Sequence, residues 1–340
     1  MIALRDEDSI VVGFQDRSHL NMTMANYEVE VGEDVRWIYK FRDSVLQQNQ
    51  DYYHAISVAS SELNENHQLV LDSLRQLRLM LNKSPYKENY NDDKFLLAFL
   101  RHSKYEMDKA KKRVINFWTE RFCHENGRPR WFEPVTLDDP DIDKYFNTAH
   151  MMHLGTLDDG SSLVFVRPSA YSPSLMSNDK FRRIFWMNTD RAIFENRIQV
   201  HGLVVFLDFT GLTNNIIKSP RELNDLRSEL SIWQDAYPFR IRKILYYKHS
   251  KILDLLLSTV EVFMQKKLRT RIIRSRSKID KIYDQVPGLR RVMPLEYSGQ
   301  NQTMSQHIGK FSLYSSQILV KENQKQQFTD FYKTGFSLNH

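Results

Sequence analysis

The apolar run Leu203-Val204-Val205-Phe206-Leu207 is the strongest constraint on the fold. A strand with consecutive apolar residues is apolar on both faces. It is stable where both faces are covered, as in a parallel sheet flanked by helices. Two further runs have strand character: Leu163-Val164-Phe165-Val166, preceded by the turn Asp158-Asp159-Gly160, and Lys243-Ile244-Leu245-Tyr246-Tyr247. Between them lie segments of helical period. One covers 179–200 and carries Phe181, Ile184, Phe185, Met187, Ala192, Ile193 and Ile198; another covers 223–236. Helical signal continues through 250–264 and 277–284. Strands alternating with helices imply βαβ units, so the expected class is α/β with a mostly parallel sheet.

Upstream the pattern is helical only. Leu63, Val70, Leu71, Leu74, Leu77 and Leu81 recur at helical spacings and predict a helix from Ser61. A break at 82–90 contains Ser84-Pro85. Asp92-Asp93 then opens the run Phe95-Leu96-Leu97-Ala98-Phe99-Leu100, which suits an N-cap and the helix dipole. A further helix starts near Asp108 and carries Ala110, Val114, Phe117 and Trp118. The Pro- and Asp-rich stretch 128–143 reads as a linker. Residues 1–50 hold nine Asp or Glu against five Lys or Arg and show no sustained period. They read as a flexible extension with one helix over 33–50. The chain therefore divides into an extension (1–55), a helical module (56–125), an α/β domain (140–312) and a tail (313–340).

Composition narrows the function classes. Hydrophobic and charged contents of 41% and 26% are those of a soluble globular protein. The single Cys123 allows no internal disulfide framework, which points to a reducing, cytoplasmic setting. The acidic start lacks the pattern of a signal peptide, and no run approaches the ~18 apolar residues of a membrane span. The sequons at Asn21, Asn82 and Asn301 read as chance matches. Charge is concentrated: 239–281 carries thirteen Lys or Arg against three Asp or Glu, in a chain of net charge +6. Two basic runs there flank Ile252-Leu253-Asp254-Leu255-Leu256-Leu257-Ser258-Thr259-Val260. Basic, apolar, basic suits a surface that meets an anionic membrane. Nucleic acid fits poorly, because 264–281 interleaves no aromatic residues with its charges. There is no phosphate loop, no zinc-ligand pattern and no nucleophile elbow, so no catalytic residue, metal or cofactor is assigned and no enzyme is expected. Asp208, at the end of an apolar strand, reads as a cap on the following turn.

Several segments together resemble the CRAL-TRIO lipid-binding family, in its animal branch of tocopherol- and retinaldehyde-binding members. In the helical module they are Glu62-Leu63-Asn64-Glu65, Leu74-Arg75, Asp93 through Arg101, and Lys109-Ala110. In the α/β domain they are Gly202-Leu203, Asp208-Phe209-Thr210-Gly211-Leu212, Gln234-Asp235-Ala236-Tyr237-Pro238, Lys267-Leu268 with Arg271-Ile272, and Met293-Pro294-Leu295-Glu296-Tyr297-Ser298-Gly299. The resemblance covers about 60–312. Three places depart from the family pattern. Tyr247-Lys248-His249-Ser250 stands where the family has Asn-x-Pro, Ser298-Gly299 replaces Gly-Gly, and Thr210 replaces an acidic residue.

The resemblance implies one apolar ligand in a pocket under a mobile helix that opens at a membrane. The lid falls at 250–263, with Ile252, Leu253, Leu256, Val260 and Phe263 on its apolar side. Positional carry-over gives a pocket of Phe181, Phe185, Leu203, Leu207, Leu212, Ile232, Trp233, Tyr237 and Ile244, suited to a tocopherol-, retinoid- or terpenoid-like molecule or a phospholipid. Arg240, Arg242, Lys267 and Arg271 align with positions that hold phosphoinositide headgroups. At ~1 kcal/mol each near an anionic surface, four cations give roughly 4 kcal/mol of membrane partitioning. The implied protein is a cytoplasmic monomer that visits endosomal or other phosphoinositide-bearing membranes peripherally. The competing reading is a phosphoinositide-recognition module or adaptor without cargo transfer.

Overall fold

Asn64 and Asn66 divide what the leucine spacing presents as one helix. In the computed structural model, which describes residues 45–86, 92–136, 139–212 and 220–309, helix α1 (Val45–Leu63) stops at Asn64, whose φ of 56° is left-handed. Asn66 then caps α2 (His67–Leu81) by accepting from Leu69 N at 2.9 Å. The spacing runs through the break because Leu63 and Val70, on either side of it, are both buried. The helix expected over 33–50 lies largely outside the described residues. Helix α3 (Asp93–His102) is capped by Asp92, which accepts from Phe95 N at 2.9 Å, as its sequence predicts. With α4 (Met107–Phe122) it buries an aromatic cluster in which Phe117 meets Phe95 and Trp118 edge to face. The stretch read as a linker contains two short helices, α5 (Pro129–Phe132) and α6 (Pro140–Asn147). Each has proline in its first turn, where the missing N–H has no intrahelical partner to lose.

The sheet has five strands in chain order: β1 (Met151–Thr156), β2 (Ser162–Val166), β3 (Leu203–Asp208), β4 (Ile241–Tyr247) and β5 (Ile272–Ser275). The β1–β2 pair is antiparallel and the other three pairs are parallel. The fold is thus α/β with a mostly parallel sheet, as expected. The two edge strands are additions to the sequence reading. Met151-Met152-His153-Leu154-Gly155 lacks β-branched residues, and β5 is four residues long with an arginine inside it. The crossovers are α7 (Asn178–Arg191) and α8 (Asn196–His201) before β3, α9 (Pro220–Ser231) before β4, and α10 (Lys251–Glu261) with α11 (Lys266–Arg269) before β5. The helix expected over 179–200 is therefore broken by a 3₁₀ turn at Ala192–Phe194, and α9 passes into a π turn over Ile232–Ala236. Beyond β5 come α12 (Asp280–Tyr283) and α13 (Leu289–Val292), so the helix expected over 277–284 is a single turn.

The two faces of the sheet are packed differently. Leu163, Phe165, Phe206 and Leu245 are 0% exposed beneath Ile282, Leu289 and Met293. On the opposite face Val164, Val166, Val205 and Leu207 are only half-buried, and α10 lies over Leu207, Ile244 and Tyr246 through Leu253, Leu256 and Leu257.

Arginine–carboxylate pairs join the helical module to the α/β domain. Arg101 and Glu65 are both 0% exposed, 2.8 Å apart, and Arg101 also donates to Asn196 Oδ1 at 3.2 Å and Gln199 Oε1 at 2.8 Å on α8. Arg121 of α4 donates to Asp190 of α7 at 2.5 Å and to the Tyr237 hydroxyl at 3.0 Å. Removing one member of a buried pair strands the other charge. Glu65→Gln should therefore lower the unfolding free energy by about 3–5 kcal/mol, read as a shift in the urea midpoint. Arg75→Ala, which breaks an exposed pair with Asp72, should change it by less than about 0.5 kcal/mol.

Acid should weaken the same seam. His201, at the end of α8, is 1% exposed and its ring lies 4.9 Å from that of His54 on α1. Burial, then the His54 and Arg197 charges, depress its pKa to about 4. The folded value lies below the unfolded one of roughly 6.5, so the unfolded chain takes up the proton first and stability falls as pH drops through that interval. Melting temperature measured against pH should decline from about pH 6.5 towards 4, and His201→Gln should flatten the decline.

Candidate functional site

The four basic residues singled out by the resemblance gather at the start of β4 and β5. Arg240 immediately precedes β4 and Arg242 is its second residue, so both side chains leave the same face. Arg240 donates to Val200 O, and Arg242 Nε donates to His201 O at 2.7 Å. Arg271 donates to Ile241 O. It lies beyond α11, in the turn that enters β5, so Lys267 and Arg271 stand on either side of a helix-to-strand junction although their spacing of four suits one helix face. The four still act on one another. Burial and then Arg242 disfavour the charge of Arg271, while burial and then Arg271, Lys104, Arg240 and Lys109 lower the pKa of Lys267.

Two parts of this site escaped the sequence reading. Lys104 and Lys109 extend the basic field from the helical module, and only tertiary packing brings them there. The second is Glu62, in the last turn of α1. Its carboxylate accepts from Arg242 Nη2 at 2.9 and 2.7 Å, and from Arg240 Nη2. Burial alone would raise its pKa, but the hydrogen bonds from Arg242 and Arg240 outweigh that and hold it below the ordinary carboxylate range. A carboxylate thus occupies the guanidinium forks that suit a phosphate.

The expected lid is α10 with the turn after it, and it is apolar on two sides. Leu253 and Val260 are buried and Leu256 is half-buried against the sheet, whereas Ile252 (59%) and Phe263 (44%) face solvent together with Leu255 (73%) and Val262 (68%). Placing all five expected lid residues on one side is corrected: the inward set is Leu253, Leu256 and Val260. Among the described residues no helix is long and apolar enough to cross a membrane. At the hinge, where the family has Asn-x-Pro, Lys248 takes a left-handed φ of 54° and Ser250 caps α10 by accepting from Leu253 N at 3.0 Å. The turn therefore forms without proline.

The nine pocket candidates fall into three groups. Leu207, Leu212 and Ile244 share the cluster under α10. Phe185 and Trp233, half-buried, approach each other at 6.4 Å, and Phe181 packs beside them with Ile142 and Tyr145. Leu203, Ile232 and Tyr237 are at most 2% exposed. Tyr237 is additionally fixed by its hydroxyl, which donates to Asp190 at 2.5 Å. Asp208 caps the turn after β3: it accepts from Thr210 N at 3.0 Å and from the Tyr297 hydroxyl at 2.6 Å. Thr210 thus fills the place of the family's acidic residue with a hydrogen-bond donor.

Residues 147–299 match the model of the CRAL/TRIO domain. The chain is similar to mouse alpha-tocopherol transfer protein-like, with 25% identity over 254 residues that cover 72% of this chain and 69% of that protein. The human protein of the same name is 25% identical over 253 residues, with the same coverage. The crystal structure of Sfh5 aligns with 79% of this chain and 98% of its own at 12% identity and a TM-score of 0.44.

Glu62→Gln should loosen the internal occupation of the basic site. A partly exposed ion pair is worth up to ~1 kcal/mol, so affinity for inositol trisphosphate should rise about fivefold. Isothermal titration calorimetry checks this; unchanged affinity would mean that Glu62 and the ligand do not compete.

Proposed function

This chain belongs to the CRAL/TRIO family through residues 147–299, and on that premise we propose that it is a lipid-binding and transfer protein. It holds one small apolar molecule between the half-buried face of the sheet and α10, and exchanges it at phosphoinositide-bearing membranes. The observation that carries the reading is the asymmetry of the sheet. On the face toward α10 Val164, Val166, Val205 and Leu207 are half-buried beside the buried Ile244 and Tyr246, while the opposite face is closed, and the helix is apolar outward as well. The similarity to alpha-tocopherol transfer protein-like relatives supports a tocopherol-, retinoid- or terpenoid-like cargo or a phospholipid.

In this mechanism Arg240, Arg242, Lys267 and Arg271 meet the headgroup as phosphate displaces Glu62. Ile252, Leu255, Val262 and Phe263 enter the interface, where they are worth more than in water. Withdrawal of Leu253, Leu256 and Val260 from the sheet uncovers Leu207, Leu212 and Ile244, and cargo leaves along that path. The chain's residues carry out no covalent step. Association with the membrane is peripheral and reversible.

Transfer between two vesicle populations tests the reading. Arg240→Ala with Arg271→Ala should reduce binding to vesicles containing phosphatidylinositol bisphosphate by roughly thirtyfold, at ~1 kcal/mol per cation. A crosslink that locks α10 to the sheet should abolish transfer while leaving vesicle binding intact. Transfer that survives the lock would overturn cargo exchange. An absence of any lipid bound to the purified chain, read by mass spectrometry, would favour headgroup recognition alone.

A further inference from the structure

Three residues of the second basic run, Arg274, Arg276 and Lys278, play no part in the mechanism above. They lie at and just past the carboxyl end of β5, where the carboxyl ends of β4 and β5 meet the start of α10. The structure has a cleft of about 390 Å³ there, lined by His249, Asp254, Arg274, Ser275, Arg276, Ser277, Lys278 and Lys281. We propose that this cleft is a second binding site, for a phosphate monoester, and that its occupation draws Arg274 and Arg276 off the carboxylates of α10.

Four observations point to a ligand rather than to a solvated basic face. The lining has four cationic side chains and one carboxylate, Asp254. The ammonium groups of Lys278 and Lys281 have no carboxylate in ion-pair range among the described residues. His249 is 4% exposed, yet neither ring nitrogen makes a hydrogen bond; the nearest acceptor is Asp254 Oδ1 at 3.5 Å. A buried imidazole that makes no hydrogen bond is costly unless something else supplies one. Finally, ligands of open α/β sheets bind outside the carboxyl ends of parallel strands, which is where this cleft lies.

Occupation is tied to α10 because the arginines are already engaged. Arg276 pairs with Asp254, and Arg274 pairs with Glu261 and lies 3.7 Å from Asp254. Asp254 and Glu261, two helical turns apart, are thereby clasped to the edge strand. A phosphate monoester carries up to two charges and offers several acceptor oxygens, so it competes well against a single carboxylate for a guanidinium fork. Lys278, Lys281 and His249 supply donors that the internal carboxylates do not use. Binding would release α10 from β5 without contact at the first basic site.

The test measures amide hydrogen exchange along Lys251–Glu261 in the full chain, with inositol trisphosphate, inorganic phosphate, or phosphatidylcholine vesicles carrying phosphatidylinositol bisphosphate. Lys278→Gln with Lys281→Gln alters exposed side chains only and leaves the clasp intact. Inositol trisphosphate should accelerate exchange in the wild type and in Arg240→Gln/Arg271→Gln. In Lys278→Gln/Lys281→Gln the acceleration should be lost and affinity at this site should fall about tenfold. If inorganic phosphate alone reproduces the acceleration, the site takes free phosphate; if only trisphosphate and the vesicles do, it takes a lipid headgroup. Both outcomes support the site. Acceleration that persists in Lys278→Gln/Lys281→Gln, or that disappears in Arg240→Gln/Arg271→Gln, overturns it, as does a wild type indifferent to all three probes. The cleft does not depend on cargo transfer, so a chain that fails to transfer lipid but passes this test retains the second site.

Discussion

The buried pair of Arg101 and Glu65 fixes the geometry on which the basic site rests. Two charges at 0% exposure are expensive to desolvate, and they are tolerated here because nearly every polar atom is engaged. Glu65 accepts from Arg101 through both oxygens and from the Tyr105 hydroxyl at 2.6 Å, while Arg101 reaches Asn196 and Gln199. The last two belong to α8, a helix of a turn and a half. Its final carbonyls, Val200 and His201, are the acceptors for Arg240 and Arg242. Helix α8 therefore transmits the placement of Arg101 to the start of β4. Glu65 also anchors the break after α1, one turn beyond Glu62, so the pair positions both the guanidinium forks and the carboxylate that fills them.

A second consequence concerns which parts of the domain can open. On one face the sheet is sealed by fully buried residues from beyond β5, and those contacts would be lost only on global unfolding. On the other face α10 is held by the buried Leu253 and Val260, the half-buried Leu256 and Leu257, and ion pairs of partial exposure, each worth at most ~1 kcal/mol. Regions with few buried contacts open at a fraction of the global free energy. The difference lies in the side chains rather than in the topology. Both faces of β3 are apolar in sequence, and it is the cover that distinguishes them.

This explains what the sequence disclosed. The central strands were legible because Leu203–Leu207 can only be a covered strand, and α3 because its cap and apolar run agree. That Arg240, Arg242, Lys267 and Arg271 gather in one place was legible through resemblance, motif by motif. The break at Asn64 was hidden because buried residues on both sides keep helical spacing. Strand β5 was hidden because an edge strand of four residues tolerates arginine, so Ile272-Ile273-Arg274-Ser275 carries no strand pattern of its own. The pairing of Glu62 with Arg240 spans 178 residues and leaves no local trace. The two-sided lid was misread because helical spacing gives the period of an apolar stripe and not its width: at about 100° per residue, Ile252, Leu253, Leu255 and Leu256 spread over nearly half the circumference.

The two basic groups solve one electrostatic problem in the same way. Clustered cations repel one another and disfavour the folded state, and burial has already lowered the pKa of Arg240, Lys267 and Arg271. At one end of β4 and β5, Glu62 relieves the repulsion; at the other, Asp254 and Glu261 do. A basic surface with no anionic partner could have lost its charges more simply than by acquiring internal carboxylates to match them. Keeping both sets preserves a folded chain in the absence of ligand and sets a threshold for displacement. A lone carboxylate on a passing protein gains nothing over the one already bound, whereas a group carrying two charges and more oxygens does. The internal carboxylates thus neutralise part of the positive field within the fold itself. Because they sit on α1 and α10 rather than on the sheet, each ion pair also ties its helix to the basic residues at the sheet's ends.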